Sequence, residues 1–491
     1  MSLIQVKDLN FSYDGSYDKI FENVSFQIDT DWKLGFIGRN GRGKTTFLNL
    51  LLSNYEYSGE INSSVIFDYF PFKVSDTSVF TLDVLQEISP QSEDWEFIKE
   101  LSLLNVDCEI LYRPFKTLSK GEQTKALLAA LFLNEGHFLL IDEPTNHLDL
   151  EGRKIVADYL KNKKSFILVS HDRDFLDNCV DHILSINKSN IEVQKGNFST
   201  WWENKKRIDE FELRKNRELK EDISRLKDSV DRTSRWSDKV EKSKNVKVSG
   251  NKQDKGYVGH KAAKMMKRSK SLELRQLKSI DEKSKLLKNI EVNEDLIIKP
   301  LAHHSSMLFT LENIELFYSN KKVCGPVSFN VTQGDRVNII GPNGSGKSSL
   351  LNLLVGSEIE YSGEIIKASN LKISYVAQDT SNLKGTLTEY AASRNIDESL
   401  FKTILRKMGF DRVQFEKDIA EFSSGQKKKV LIGASLSERA HIYIWDEPLN
   451  YIDIFSRMQI EDLLLEYKPT LIFVEHDSNF QRSIVTKSVR L

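Results

Sequence analysis

Apolar and polar positions change their period twice along this chain. At the start, Ile4, Val6, Leu9 and Phe11 recur at near-alternate positions, which predicts an opening strand running to Tyr13. Further on, Leu34 to Ile37, Phe138 to Ile141 and Phe166 to Val169 are short continuous apolar runs, the pattern of strands buried on both faces of a parallel sheet. Helical stretches lie between them, at Thr46 to Leu52 and at Ala126 to Leu133. Strands alternating with helices predict an α/β fold. From Trp201 the period becomes helical: Ile208, Phe211, Leu219, Ile223, Leu226 and Val230 recur at three, four or their sum, with charge on the other faces. No Pro or Gly interrupts until Gly250, so a helix from Trp202 to Val240 would be about 55 Å long. After Gly250 to Gly259 a second helical pattern returns through Met266, Leu277, Ile280 and Leu287, which predicts an antiparallel helical hairpin.

The strand-and-helix half before this insert recurs after it. Tyr318 follows Tyr13 by 305 residues, Lys347 follows Lys44 by 303, Phe422 follows Leu118 by 304, Glu447 follows Glu143 by 304 and His476 follows His171 by 305. A near-constant offset over five motifs is an internal duplication. The expected organisation is residues 1–200, 201–300 and 301–491.

Each half carries the same chemistry. Gly38-Arg39-Asn40-Gly41-Arg42-Gly43-Lys44-Thr45 and Gly341-Pro342-Asn343-Gly344-Ser345-Gly346-Lys347-Ser348 follow apolar strands and precede helices opened by Thr46 and Ser349. Such a glycine-rich loop lets backbone N–H groups converge on phosphate oxygens. The lysine supplies a point charge, the hydroxyl of Thr45 or Ser348 a ligand for Mg²⁺, and the helix its positive end. The apolar strands ending in Asp142-Glu143 and Asp446-Glu447 put two acids at the carboxyl end of a sheet, where α/β folds place ligands. Asp142 and Asp446 are the expected Mg²⁺ carboxylates, and Glu143 and Glu447 the general bases that polarise water. His171 and His476, each ending a strand, are expected at the γ-phosphate.

These motifs resemble ATP-binding-cassette ATPases, in family order: Tyr13, the phosphate loop, LSKGEQ, LLIDEPTNHLD and SHD. The resemblance implies that Tyr13 and Tyr318 stack on adenine. It implies that Ser119, Gly121 and Glu122 in one half, and Ser423, Gly425 and Gln426 in the other, cap the nucleotide held by the opposite cassette. Asp149 falls in the loop through which the sites communicate. Gln378 matches the family's glutamine that contacts Mg²⁺ and water, whereas the first half has Phe72 there; Leu449 stands where the first half has Thr145. The implied cofactors are ATP and Mg²⁺, with two composite sites that work unequally in a monomer.

Charge is distributed unevenly. The chain has 70 Lys and Arg against 71 Asp and Glu, but residues 201–300 hold 28 against 18. Within them, residues 241–270 hold 10 against 2, which predicts a polyanionic partner for the far end of the insert. No apolar run approaches the roughly 20 residues of a membrane span, and the three cysteines show no metal or disulfide spacing, as expected of a cytoplasmic protein. Tandem cassettes with a helical linker resemble the ABC-F class. Within it, DWKLGFIGRNGRGKTT, LSLLNVDCEILYRPF, AAKMMKRSK and YIWDEPLNYID are similar to resistance proteins of the Lsa type. That likeness implies binding to the tRNA exit site of the bacterial ribosome, beside large-subunit rRNA and exit- or peptidyl-site tRNA. It also implies protection of the peptidyl-transferase centre from lincosamides, pleuromutilins and streptogramin A. The expected ribosome contacts are Lys244, Lys247, Lys252, Lys255, Tyr257, His260, Lys261, Lys264, Lys267 and Arg268. An exporter's energy module would leave the basic insert unexplained. DNA-binding ATPases with coiled coils carry the insert within one cassette. A housekeeping ABC-F translation factor stays open as an alternative.

Overall fold

The computed structural model describes residues 2–13, 19–146, 148–187, 190–243, 260, 263, 264, 267, 270–272, 274–279, 295–318, 321–342 and 344–491, with backbone alone for 233–243. Two compact units result: Met1–Trp201 with Asn293–Leu491, and Trp202–Val292.

The first unit holds two copies of one architecture. In the first half, β1 (Leu3–Phe11) pairs antiparallel with β2 (Phe21–Asp29) and β4 (Ser58–Asn62). A six-stranded sheet follows in the order β5 (Ile66–Phe70), β6 (His137–Asp142), β7 (Phe166–Val169), β3 (Lys33–Ile37), β8 (His182–Asn187), β9 (Asn190–Lys195), parallel except for the last pair. The second half repeats this. β10 (Met307–Tyr318) joins β11 (Lys321–Thr332) and β13 (Glu360–Lys367), and a parallel sheet runs β14 (Ile373–Val376), β15 (Ile442–Asp446), β16 (Leu471–Val474), β12 (Arg336–Ile340), β17 (Lys487–Arg490). The predicted apolar runs are these central strands: Phe138 to Ile141 and Phe166 to Val169 are buried throughout. β1 stops at Phe11, two residues short of the expected Tyr13.

Helices join the strands: α1 (Lys44–Leu51), α2 (Thr81–Ile88), α3 (Asp94–Leu103), α4 (Lys120–Leu131), α5 (Leu150–Lys161) and α6 (Arg173–Cys179). After α7 (Phe198–Ser243), the second half has α8 (Lys347–Val355), α9 (Leu387–Ser393), α10 (Glu398–Lys407), α11 (Ser424–Ser437), α12 (Ile454–Tyr467) and α13 (Ser478–Ile484). Phe36, Phe47 and Phe138 interdigitate in the first core, and Leu350, Ile442 and Val474 in one of the second half's clusters. This α/β pair of cassettes is the predicted fold class.

The helix α7 (Phe198–Ser243) starts four residues before the expected Trp202, within the first unit, where Phe198 and Trp201 are buried with their ring centroids 5.8 Å apart and tilted by 39°. Residues 274–279 are helical, and Gln276 Nε2 donates to Ser229 Oγ at 2.9 Å, so this segment lies against α7. Of the expected turn region, residues 241–270, the described residues 241–243, 260, 263, 264, 267 and 270 are helical, and its Gly250 to Gly259 stretch lies outside the described residues.

Candidate functional site

Both phosphate loops bridge a central strand and a helix, β3 to α1 and β12 to α8. The residues capping those helices, Gly43 and Gly346, have φ of 95° and 87°, where a side chain is strained. A Cβ on Gly43 would also meet Ile20 Cγ2 at 2.6 Å. Lys44 Nζ donates to the carbonyls of Gly38 (2.7 Å) and Arg39 (3.3 Å), and Lys347 Nζ to those of Gly341 (2.8 Å) and Pro342 (2.9 Å). Both ammonium groups are therefore curled into the cradle that phosphate oxygens would enter. Burial lowers the pKa of each.

The acids stand at the carboxyl ends of β6 and β15, as expected. Thr45 Oγ1 donates to Asp142 Oδ2 at 3.0 Å and Tyr69 OH to the same oxygen at 3.1 Å. Asp446 bonds the Ser348 hydroxyl, and burial pushes its carboxyl up to about 6. Its Oδ1 is buried with no hydrogen-bond partner among the described residues. One carboxylate beside one hydroxyl, with acceptor capacity to spare, fits Mg²⁺, which takes few protein ligands and completes its shell with water and phosphate.

Glu143 and Glu447 share an unusual backbone: φ is 53° and 45°, a left-handed conformation that costs an L-residue of order 1–3 kcal/mol. Their N–H groups donate to Val169 O (2.9 Å) and Val474 O (3.0 Å) on the next strand, which holds the strained turn. The side chains differ. Glu447 Oε2 accepts from Gln378 Nε2 and from Asn450 Nδ2, both at 2.7 Å. Glu143 Oε1 lies 3.3 Å from His171 Nε2 but has no hydrogen-bond partner among the described residues. Burial, then the Asp142 charge, pushes Glu143 up to about 8. Burial, then Lys347, lowers His476 to about 4, and burial then Lys44 lowers His171, so both imidazoles are neutral.

The two halves meet at these loops. A cavity of about 440 Å³ is lined by Gly344, Gly346, Lys347, Ser348, Ser349, Gln378, Glu447 and His476 of the second half, and by Lys120, Asn146 and Leu148 of the first. At the other site, Asn40 Nδ2 donates to the Tyr451 carbonyl at 2.7 Å, and a Cβ on Gly425 would meet Asn40 Nδ2 at 2.6 Å. Each phosphate loop thus faces the opposite half's capping segment. Ser119 and Glu122, and Ser423 and Gln426, form capping boxes at the starts of α4 and α11. That aims the helix N-termini, with Gly121 and Gly425 in their first turns, across the interface. Asp149 caps α5, accepting from Gly152 N at 2.8 Å. Gly38, Gly41, Arg42, Ser345 and Gly341 lie in the two loops as predicted, and Arg39 is buried with its guanidinium 5.9 Å from the Phe455 ring. Tyr13 OH shares a 2.8 Å hydrogen bond with Thr46 Oγ1, and both Tyr13 and Tyr318 are exposed. Asn343 lies outside the described residues.

Several residues of the site lie outside the sequence motifs. Arg153 donates to Asp172 (3.0 Å) and across the interface to the His476 carbonyl (3.3 Å). Its duplicate Arg457 donates to Asp477 at 3.0 Å. Lys428, lowered by burial to about 8, donates to the carbonyls of Ala377 (2.8 Å) and Asp446 (3.1 Å), pinning β14 to β15 beside the acids. Arg173 pairs with Glu461 between halves. The 304-residue offset of Arg153 from Arg457 is a signal that could have found that pair.

In the second unit His260, Lys264 and Lys267 are exposed, and Lys267, Lys270, Ser271, Leu274, Arg275 and Lys278 line one groove. Lys244, Lys247, Lys252, Lys255, Tyr257, Lys261 and Arg268 lie outside the described residues.

A family profile described as ABC transporter matches residues 21–146 and 324–450. Among curated proteins, the chain is 28% identical to "Ribosome protection protein VmlR" of Bacillus subtilis, over 96% of this chain and 84% of that protein. It is 25% identical to "Putative ATP-binding protein YdiF" of the same organism, over 100% and 80%. It is 24% identical to "ABC transporter F family member 2" of Arabidopsis thaliana, over 99% and 76%. A solved archaeal ribosome recycling factor, aABCE1, crystallised with the stalk protein aP1, shares the fold at TM-score 0.63 and 18% identity, covering 98% of this chain and 87% of that one. Among the described residues no helix is long and apolar enough to cross a membrane.

Proposed function

This chain belongs to the ABC transporter family, in its tandem-cassette ABC-F class, and is an ATPase; on that premise we propose that it binds the tRNA exit site of the bacterial ribosome and protects the peptidyl-transferase centre from lincosamides, pleuromutilins and streptogramin A. The observation that carries this reading is the basic groove of Lys267, Lys270, Arg275 and Lys278 in a segment that lies between two cassettes and holds no nucleotide motif. Its net charge suits rRNA phosphates. The likeness to a protein named for ribosome protection supports the choice of partner. A housekeeping translation factor would share every one of these features except the drug phenotype.

In this scheme ATP lies between one phosphate loop and the opposite capping segment. Lys44 and Lys347 exchange their loop carbonyls for phosphate oxygens, at no loss of hydrogen bonds. Mg²⁺ held at Thr45 and Asp142, and at Ser348, Asp446 and Gln378, would supply positive charge to the phosphates. Glu143 and Glu447 accept the proton of the attacking water. Neutral His171 and His476 donate to the γ-phosphate. His476 Nε2 is already buried at the cavity without a partner among the described residues. ATP binding closes the halves and hydrolysis releases the ribosome. The test is co-sedimentation of the Glu143→Gln/Glu447→Gln variant with ribosomes: a long-lived, ATP-dependent complex without turnover is expected, and dissociation as fast as wild type would overturn the scheme.

A further inference from the structure

We propose that a basic groove on the second cassette, away from both ATP sites, docks the phosphodiester backbone of RNA. The groove has a volume of about 560 Å³ and lies at the edge of the second parallel sheet. Four separate segments build it: Ile297 and Lys299 entering the cassette, Lys372 before β14, residues 394–397 between α9 and α10, and the end of α11 through Ala440.

Its charge is not internally balanced. The two acids in the lining are both committed. Asp397 caps α10 by accepting from Leu400 N at 2.9 Å. Glu438 accepts from Arg394 at 3.1 Å and from Ser374 Oγ at 2.5 Å. Lys299, Lys372 and Arg439 are exposed, and no carboxylate pairs with them among the described residues. Three unpaired cations around one concavity repel each other unless an anion is shared among them.

The duplication supplies a control within the same molecule. Strand pairing aligns Lys372 with Ile66, helix ends align Arg394 with Ser89, and the 304-residue offset aligns Arg439 with Glu135. Of the unpaired cations, Lys372 and Arg439 thus correspond to an isoleucine and an acid in the first cassette, and the paired Arg394 corresponds to a serine. Folding and ATP binding, common to both halves, therefore do not require this charge. The polar pair beneath has also been exchanged: Asn134 bonds Asp68 at 2.9 Å in the first half, whereas Glu438 bonds Ser374 and Arg394 in the second.

The lining also selects among anions. Among the described residues no aromatic side chain lines the groove for a base to stack on, and no glycine loop presents converging amides. A free nucleotide would find neither. Ile297, Ile373, Ile396, Leu400 and Leu436 give an apolar floor with cations around it, which suits sugar faces flanked by phosphates. The choice of RNA over another polyanion rests on the ribosomal function proposed above. An acidic peptide is the competing occupant, since β14 is an edge strand open to strand addition.

The test uses full-length protein and a fluorescein-labelled 24-base-pair RNA duplex, with anisotropy read across a KCl series. Lys299→Gln/Lys372→Gln/Arg439→Gln is expected to weaken RNA binding about tenfold near 0.1 M KCl and to flatten the log Kd against log [KCl] slope by roughly two to three, at about 0.9 per phosphate contact. ATPase turnover stays at the wild-type rate, which reports that both cassettes are folded. The single exchange Arg439→Glu, the residue of the first cassette, should weaken binding in the same direction. Unchanged affinity and slope in both variants would overturn the proposal, as would a polyglutamate peptide bound by the wild type with the same dependence on the three cations. Groove-dependent RNA binding by a wild-type protein that does not co-sediment with ribosomes would instead uphold the groove and reject the ribosomal function.

Discussion

Gln378 Nε2 donates a 2.7 Å hydrogen bond to Glu447 Oε2, and the duplicated position in the first half has Phe72 and no such donor. Asn450 fixes the same oxygen at 2.7 Å. Glu447 is thus held by two amides, while Glu143 Oε1 has no hydrogen-bond partner among the described residues. A general base is worth about 10²–10⁴ only when its geometry is fixed. Glu447→Gln is therefore expected to remove the larger share of steady-state ATP turnover and Glu143→Gln the smaller, with Gln378→Ala shifting Glu447's site toward the slower one. Equal rates for the two single Glu variants would count against unequal sites.

Arg457 and Asp477 form a buried pair at 3.0 Å, with 8% and 2% of their side chains exposed. Removing one partner of such a pair leaves a charge uncompensated, at a cost of about 3–5 kcal/mol. Arg457→Ala should lower the denaturant midpoint accordingly. Arg457→Met/Asp477→Leu should recover much of that loss, because the lone charge is gone.

Glu461 is raised by burial to about 7, opposed by Arg173 and reinforced by Asp477 and Asp462. Its folded pKa exceeds the unfolded value of 4.5, so the folded state binds its proton more tightly. That contribution is complete below pH 4.5 and is lost as pH rises through about 7, a change on the order of 3 kcal/mol. Between pH 5 and 8 the melting temperature should fall further for wild type than for Glu461→Gln. Parallel pH profiles for the two would contradict this assignment.

Deleting Lys247 to Gly259 removes no nucleotide motif. ATPase activity and ribosome binding should survive while resistance to lincomycin and tiamulin is lost. Neutralising Lys261, Lys264, Lys267 and Arg268 should instead weaken ribosome binding and flatten its salt dependence. Full resistance in the deletion strain would make the segment a spacer and favour the housekeeping alternative.

Consecutive residues are enough to place the two cassettes, both phosphate loops, the acids at the strand ends and the basic insert. Each is local: a glycine at positive φ, an apolar run or a helical period is written in consecutive residues, and the 304-residue repeat confirmed each motif by its copy. How those motifs are joined is visible in the folded molecule alone. Asn40 reaches Tyr451 across 411 positions, Arg153 reaches the His476 carbonyl across 323, and Arg173 reaches Glu461 across 288. The assembled fold likewise brings Lys299, Lys372, Arg394 and Arg439 into one groove. Charges and hydrogen bonds act through distances of a few ångströms, and chain separation carries no information about those until the sheets are assembled.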